Sequence, residues 1–139
     1  MSKKILRIEY DFDFTLIGIS STVRDYRLCW FINKYLPFRF NRDIDLTIYN
    51  EYGNESYHSC FKYSIENLET DLYLLTNKSG TEFIIPESKE TDFFLLSTEA
   101  LSSEEEKAIV NGLNKIDVVQ TAFLLDPNAF KNKENLIFF

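Results

Sequence analysis

The sequence predicts an α+β fold in which two helices pack on a largely antiparallel sheet of about 6–8 strands. Short apolar runs separated by turn residues recur at hairpin spacing, and two stretches have helical periodicity. Thirteen Phe and eight Tyr supply a large core. Because two helices are too few to cover both faces of a parallel sheet, hairpin-built antiparallel pairing is favoured. The length of 139 residues predicts one domain, residues 1–139.

The N-terminal part is predicted to form two strands and a helix. Residues 5–10 alternate between polar and apolar side chains, which predicts a strand with one buried face. Residues 12–20 are a second apolar run, in which Gly18 indicates a bend or a close backbone approach. Asp25 is the expected N-cap of the helix, and Pro37 is its expected end. The apolar residues of this helix recur at helical spacing and are Leu28, Phe31, Ile32, Tyr35 and Leu36.

The middle of the chain is predicted to consist of strands, most of them in hairpins. The expected strands are residues 46–49, 57–63, 72–76, 81–85 and 93–96. Residues 50–54 join the first pair. Residues 77–80 join the second pair, with Asn and Gly that tolerate positive φ. Residues 93–96 are apolar throughout, so this strand is expected to be central in the sheet.

The C-terminal part is predicted to form a helix, a strand and a tail. Ser102 and Glu105 have the spacing of a capping box. The buried stripe of the helix is expected to be Ala108, Ile109, Gly112, Leu113 and Ile116, with Gly112 permitting close contact with the sheet. Residues 118–125 are the last predicted strand. Residues 128–139 are expected to form one helical turn and then an extended apolar tail.

Composition excludes several classes of protein. Four Gly and three Pro leave little room for a Gly-rich phosphate loop or a low-complexity linker. The two cysteines, Cys29 and Cys60, have no metal-site spacing. No apolar run approaches the roughly 20 residues that span a bilayer, and acidic residues interrupt any signal-peptide core. We therefore expect a cytoplasmic protein with reduced, buried cysteines, no cofactor, no metal and no membrane partner.

The net charge of −7 is unevenly distributed along the chain. Residues 1–63 carry nine Lys or Arg and eight Asp or Glu, whereas residues 64–139 carry six and fourteen. Nucleic-acid binding normally needs a basic face that neutralises phosphates. The acidic second half therefore argues against nucleic acid as a partner, although a local basic patch remains.

One motif links the chain to a family. Ile85-Pro86-Glu87 is followed by Thr91-Asp92-Phe93. The chain resembles the bacterial IPExxVDY family, in which the second tripeptide is Val-Asp-Tyr. Further segments similar to this family lie at residues 25–30, 77–80, 121–122 and 133–136. The resemblance implies a short, cytoplasmic, single-domain protein of the Bacteroidetes group, and it supplies no activity, cofactor or catalytic residue.

The carboxylates of this motif have two interpretations. Glu87 follows Pro86 at a predicted strand end, where a carboxylate can act as a general acid or base, or bind a cation. Alternatively, Glu87 and Asp92 accept hydrogen bonds from backbone N–H groups and fix the turn. We expect the second role, so that Ile85, Pro86, Glu87, Asp92 and Phe93 are structural.

Other candidates for chemistry are few, and no catalytic residue is predicted. His58 is the only histidine, and Cys60 lies two residues along the same predicted strand, so the two side chains share a face. No third group is evident that would orient the imidazole. The pairs Asp11 with Asp13 and Asp43 with Asp45 lack the Gly and Glu of a calcium loop, and are expected to be solvated.

The most informative segment for function runs from Arg24 to Arg42. It holds four of the five arginines, together with Lys34 and the only Trp. On a helical wheel, Trp30 lies opposite the apolar stripe and Arg27 and Lys34 lie on one flank. An exposed Trp beside cations has the composition of a binding hot spot. In the alternative, the apolar C-terminal tail covers Trp30.

Two functions from different classes follow. The first is a non-catalytic protein–protein interaction module, whose binding residues are predicted to be Arg27, Trp30, Lys34, Arg39 and Arg42. Its charge asymmetry would also allow two copies to pair as a homodimer. The second is a small-molecule or anion-binding domain, or an enzyme, that uses Glu87, Asp92 and Arg27. A tail of apolar residues 136–139 that enters a groove or sheet edge of a partner is a further alternative.

Overall fold

The computed structural model describes residues 13–66 and 68–138. The expected strand at residues 5–10 and the residue Asp11 lie outside these ranges. The described residues form, in order, β1 (Thr15–Ser20), α1 (Asp25–Tyr35), β2 (Asn41–Arg42), β3 (Leu46–Tyr49), β4 (Glu55–His58), β5 (Cys60–Ser64), β6 (Asp71–Thr76), β7 (Lys78–Ser79), β8 (Glu82–Phe83), β9 (Phe93–Ser97), α2 (Ser103–Asn114) and β10 (Thr121–Leu125), followed by two short 3-10 turns, Pro127–Ala129 and Lys133–Leu136.

A six-stranded sheet organises the molecule. Its strand order is β10-β1-β9-β6-β5-β2, and every neighbouring pair is antiparallel. Strands β3 and β4 form a separate hairpin, as do β7 and β8. This architecture confirms the predicted α+β class with a largely antiparallel sheet. The apolar strand β9 is central, as its sequence predicts.

Both faces of the sheet are covered by apolar side chains. On the helical face, Ile17 of β1 and Leu95 of β9 pack in one buried cluster with Leu28 of α1 and Leu113 of α2. The remaining apolar side chains of these strands, among them Leu16, form a second cluster on the opposite face. Because side chains alternate along a strand, an uninterrupted apolar strand such as β9 serves both clusters.

Capping residues fix the helix boundaries. In α2, the side chain of Ser102 accepts a hydrogen bond from Glu105 N–H, and the Glu105 side chain accepts one from Ser102 N–H, which confirms the capping box. Helix α1 begins at Asp25 rather than after it. The N-cap position belongs to Arg24, which makes no side-chain capping bond. Asp25 instead accepts a hydrogen bond from the N–H of Tyr26.

One predicted strand pairing is confirmed and another is wrong. Strand β3 pairs with β4, which includes residues 57–58 of the predicted partner strand. Strand β6 pairs with β5 and β9, and not with residues 81–85. The turn at residues 77–80 is displaced toward Gly80, which has φ 62° and closes the small β7–β8 hairpin. The predicted strand at residues 57–63 is divided at Ser59 into β4 and β5, which belong to different sheets. These pairings depend on long-range packing, which local sequence patterns do not encode.

Two glycines allow close packing. A Cβ on Gly18 would lie 2.6 Å from Cε2 of Phe123, whose ring covers this point of β1 from the neighbouring strand. The expected close approach at Gly18 is therefore confirmed. A Cβ on Gly112 would lie 2.5 Å from Cδ2 of Leu36. Gly112 thus brings α2 against the end of α1, and the expected contact with the sheet is corrected.

The C-terminal segment packs on the second face of the sheet. Leu136 is fully buried there, and the ring of Phe138 meets Tyr73 edge-on at 4.8 Å between centroids. The Asn135 side-chain amide donates to the Ile84 carbonyl at 2.9 Å. The expected helical turn in residues 128–139 is present as two 3-10 turns, and burial of Leu136 with partial burial of Phe138 holds the apolar end of the described chain against the sheet.

Candidate functional site

The outer surface of α1 exposes aromatic side chains. Its inner face buries Leu28, Cys29 and Ile32 at helical spacing against the sheet. The opposite face therefore points to solvent, and Trp30 retains 55% of its maximal exposure. Tyr26 and Tyr35 are 60% and 59% exposed on the same helix. The alternative in which the C-terminal tail covers Trp30 is wrong, because that segment lies on the other side of the sheet.

Two cationic side chains contact the aromatic rings of this surface. The Lys34 Nζ lies 4.9 Å from the centroid of the Trp30 ring and 5.5 Å from that of Tyr35. The Arg27 guanidinium lies 5.8 Å from the centroid of Phe31, which also meets the Trp30 ring edge-on at 5.0 Å. Exposed cation–π contacts contribute roughly 0.5–1 kcal/mol each. They restrict the rotamers of side chains that would otherwise be free on the surface.

We call this surface the aromatic–cation face. It consists of Tyr26, Arg27, Trp30, Phe31, Lys34 and Tyr35. Four of these residues also border a shallow cleft of about 380 Å³. The face combines flat apolar area with positive charge, which is the composition of energetically dominant residues in protein interfaces.

The structure separates the other two predicted binding residues from this face. Arg42 lies in edge strand β2 and forms an ion pair with Asp45 at 2.5 Å. Its guanidinium also donates to the carbonyls of Asp43 and Cys60 at 2.8 and 3.0 Å. The Arg42 guanidinium is therefore engaged in contacts that stabilise this edge of the sheet. Arg39 is exposed, and neither of the ion pairs among the described residues includes it.

The family-like motif surrounds a buried asparagine. The side chain of Asn77 is fully buried, accepts a hydrogen bond from Ile85 N–H, and donates to the carbonyls of Ser88 and Thr91. All three bonds are between 2.9 and 3.0 Å. Ile85 and Phe93 are buried in the clusters on opposite faces of the sheet. Asn77 thereby fixes the path of the whole segment between β8 and β9.

The two carboxylates of the motif accept hydrogen bonds from distant segments. Asp92 accepts from the N–H of Ser21, at 2.8 Å, just beyond the end of β1. Glu87 accepts from the N–H of Lys131 and from the Asn132 side-chain amide. The expected bonds to backbone N–H groups are present, but they join the motif to remote parts of the chain instead of closing its own turn.

The pKa of Glu87 reflects these contacts. Partial burial acts to raise the pKa of Glu87, whereas hydrogen bonds from its own N–H, from Lys131 and from Asn132 act to lower it. The hydrogen bonds outweigh burial, and the pKa lies below its ordinary value. A carboxylate that is held ionised and hydrogen-bonded is a poor general acid at neutral pH.

The residues of the alternative ligand site do not converge. Arg27 lies in the helical layer on one face of the sheet. Glu87 binds the C-terminal segment, whose Leu136 packs on the opposite face. Asp92 is bound to the backbone of the chain between β1 and α1. The sheet therefore stands between Arg27 and Glu87, and a single small ligand would not contact all three.

The cysteines and the histidine are buried in unreactive settings. Burial raises the pKa of Cys29 to about 11 and the pKa of Cys60 to about 12, so both thiols stay protonated. Burial lowers the pKa of His58, and its ring nitrogens bond to Ser56 Oγ at 2.8 Å and to the Thr76 carbonyl at 3.0 Å. His58 and Cys60 lie in different strands, so the expected sharing of one strand is corrected.

The described part of the chain has neither a metal-binding cluster nor a membrane-spanning helix. Residues 13–66 and 68–138 contain no group of three or more His, Cys, Asp or Glu placed to hold a metal ion. Asp45 pairs with Arg42, and Asp43 accepts from the N–H of Ile44. Neither helix in these residues is long and apolar enough to cross a bilayer.

Two surface features were not anticipated from the sequence. Tyr35 was expected in the apolar stripe of α1, yet it is exposed and stacks parallel to Phe31 at 6.3 Å. An apolar cavity also opens between the end of α1 and α2. Helix α1 ends just before Pro37, which frees its last turn from the core. This end was the sequence signal that could have predicted the exposure of Tyr35.

Comparison with protein-family models, curated proteins and solved structures finds no match.

Proposed function

We propose that this protein is a non-catalytic protein–protein interaction module that binds a protein partner through the aromatic–cation face of α1. The observation that carries the proposal is the exposure of Trp30 in a cluster of rings and cations. Trp, Tyr and Arg are the residues that most often dominate binding energies. No comparable cluster joins the carboxylates, histidine and cysteines of the described residues into a catalytic arrangement.

The chemistry of the face defines the partner it would suit. Arg27 and Lys34 place positive charge beside flat apolar rings. A partner surface with an apolar centre and acidic residues at its rim would complement both features. Because the rings are restrained by stacking and cation contacts, less side-chain entropy is lost on binding than for mobile residues.

We also propose, from the motif around Ile85 and Glu87, that the chain is a cytoplasmic member of the bacterial IPExxVDY family. Its partner would then be another cytoplasmic protein. The net charge of −7 argues against nucleic acid. A homodimer that joins the α1 face of one copy to acidic residues of another is an arrangement that the same experiments would detect.

The test compares three forms of the full chain. The tagged protein, the double variant Trp30→Ala/Arg27→Ala and the control Tyr52→Ala are purified from the native host after crosslinking, and bound proteins are identified by mass spectrometry. Tyr52 is 81% exposed in the turn between β3 and β4, so the control removes an aromatic ring from a different surface. The partner is then purified and titrated with each form.

We expect the double variant to bind the partner about thirtyfold more weakly, which corresponds to roughly 2 kcal/mol for a hot-spot residue. The control should bind within twofold of the unsubstituted chain. Binding that survives the double substitution would refute the assignment to α1. Light scattering decides whether the partner is a second copy, and a gel shift with RNA or DNA at low salt is expected to show no complex.

A further inference from the structure

A small apolar cavity opens between the end of α1 and the first half of α2. Its volume is about 230 Å³, and its walls include Leu36, Phe38, Ile65, Leu72, Ala108 and Ile109. It is separate from the aromatic–cation face, since none of that face's residues lines it. The cavity is therefore not part of the surface to which protein binding is assigned.

Two small residues of α2 explain why the space exists. Gly112 lets Leu36 approach α2 so closely that even a methyl group would collide with it. Ala108 lies one turn earlier on the same face of the helix and contributes only a methyl group. The helices are thus drawn together at Gly112 but leave unfilled volume at Ala108. Because Ala108 is exposed, this volume opens to solvent as a surface cleft.

A cation lies in a depression that adjoins this cavity. A neighbouring depression shares Leu36, Pro37 and Phe38 with it and adds Arg39. Arg39 is exposed, and its guanidinium forms no ion pair with any other residue that the structure describes. The nearby cations differ, because Arg42 is paired with Asp45 and Lys62 with Asp71.

Negative charge lies in the lining of the cavity itself. Glu105 lines the cavity at the beginning of α2, and its carboxylate accepts the N–H of Ser102 in the capping box. The hydrogen bonds from Ser102 hold the pKa of Glu105 below its ordinary value, so the group stays ionised. An anionic occupant would consequently point its charge toward Arg39 and away from Glu105.

The volume limits the size of the occupant. An apolar cavity of roughly 150 Å³ holds one benzene molecule, whereas drug-sized ligands need about 300 Å³ or more. The observed volume lies between these values. It suits one ring with a short chain or an aliphatic chain of about eight carbons, and it excludes nucleotides and large cofactors.

We propose that this cavity binds a small free monocarboxylic acid, with its apolar body between Leu36 and Ala108 and its carboxylate at Arg39. An arginine guanidinium matches the geometry of a carboxylate with two parallel hydrogen bonds. This ligand site is distinct from the α1 surface, so the two proposals succeed or fail independently.

The experiment is a titration of the full, isotope-labelled chain with octanoate and with 3-phenylpropanoate, followed by amide NMR shifts. 1-Octanol is the uncharged counterpart of the first acid. We expect saturable shifts at the amides of Phe38, Ala108 and Ile109, and none at Trp30. Octanol should bind about fivefold more weakly, because an exposed ion pair contributes at most about a factor of five.

Three variants separate the parts of the proposal. Ala108→Leu fills the cavity and should abolish the shifts, whereas its thermal midpoint should stay the same or rise. Arg39→Gln should weaken octanoate binding about fivefold, and the control Arg24→Gln should leave it unchanged. Absence of saturable shifts with both acids, or shifts that survive in a folded Ala108→Leu variant, would overturn the site. Equal binding of octanol and octanoate would overturn the carboxylate assignment.

Discussion

Removal of the Asn77 side chain should destabilise the protein more than removal of any exposed asparagine. Asn77→Ala abolishes three hydrogen bonds, from Ile85 N–H and to the carbonyls of Ser88 and Thr91. Each bond contributes about 1 kcal/mol net, and buried partners left unsatisfied add to the cost. We expect a loss of about 3 kcal/mol, a large fraction of the roughly 5–15 kcal/mol that stabilises a typical domain.

Urea unfolding followed by far-UV circular dichroism measures this loss. With an m-value of about 2 kcal/mol per molar urea, the midpoint of Asn77→Ala should fall by about 1.5 M. Asn114 offers a matched comparison, since its amide makes three similar bonds to Val110 and Ala122 but its side chain is exposed. Water can replace those bonds, so Asn114→Ala should cost about 1 kcal/mol. Asn111→Ala, on the exposed surface of α2, serves as the control with a change within about 0.5 kcal/mol.

The reasoning is tested by the ratio of the losses in unfolding free energy for Asn77→Ala and Asn114→Ala. If Asn77→Ala and Asn114→Ala cost the same, burial does not set the strength of these contacts and the reasoning fails. A loss below about 1 kcal/mol for Asn77→Ala would equally refute it, because net bond energies alone predict more.

Three further predictions concern other buried or linking groups. Because burial lowers the pKa of His58 below 6.5, the folded state favours the neutral ring, so stability should fall as pH drops below 6.5 toward the folded-state pKa; urea unfolding from pH 7.5 to 5 should show a smaller decline for His58→Gln. Gly18→Ala should cost about 1–2 kcal/mol by displacing the Phe123 ring, and a double-mutant cycle should show that most of this cost disappears with Phe123→Leu. Glu87→Gln keeps the shape of the side chain but weakens its bond from Lys131 N–H, so hydrogen exchange at Lys131 should accelerate while exchange in β9 stays slow; equal exchange in both forms would contradict the role assigned to Glu87.

Local signals in the sequence predicted the elements whose causes are local. The capping box of Ser102 and Glu105 defines the start of α2 because both partners lie within one turn. The turn between β3 and β4 is similar, since Asn50 accepts hydrogen bonds from the N–H groups of Tyr52 and Asn54. Exposure of Trp30 also follows from helical periodicity alone once the buried stripe is identified.

Features that depend on distant parts of the chain were not predictable in this way. Strand β6 pairs with β9 across the motif segment, although a nearer apolar run was available. Asn77 bonds to residues up to fourteen positions away, and no pattern distinguishes it from a turn asparagine. The difference in ion pairing between Arg39 and Arg42 was predictable only in part. Asp45 lies three residues after Arg42 and was a readable sign of pairing, but the shape of the cavity beside Arg39 depends on how two helices meet.

The pairing of β1 has a consequence for the synthesis of the protein. Leu16 in β1 lies opposite Leu96 in β9 and opposite Leu125 in β10, so one edge of β1 finds its partner about 80 residues later and the other edge more than one hundred residues later. At roughly 5–20 residues per second, a ribosome takes about 5–20 seconds to make the intervening chain. Throughout that interval, the apolar side chains Ile17 and Ile19 have no completed sheet to enter. The nascent chain therefore keeps one edge of β1 unpaired until β10 has been synthesised, even after β9 has paired with the other edge.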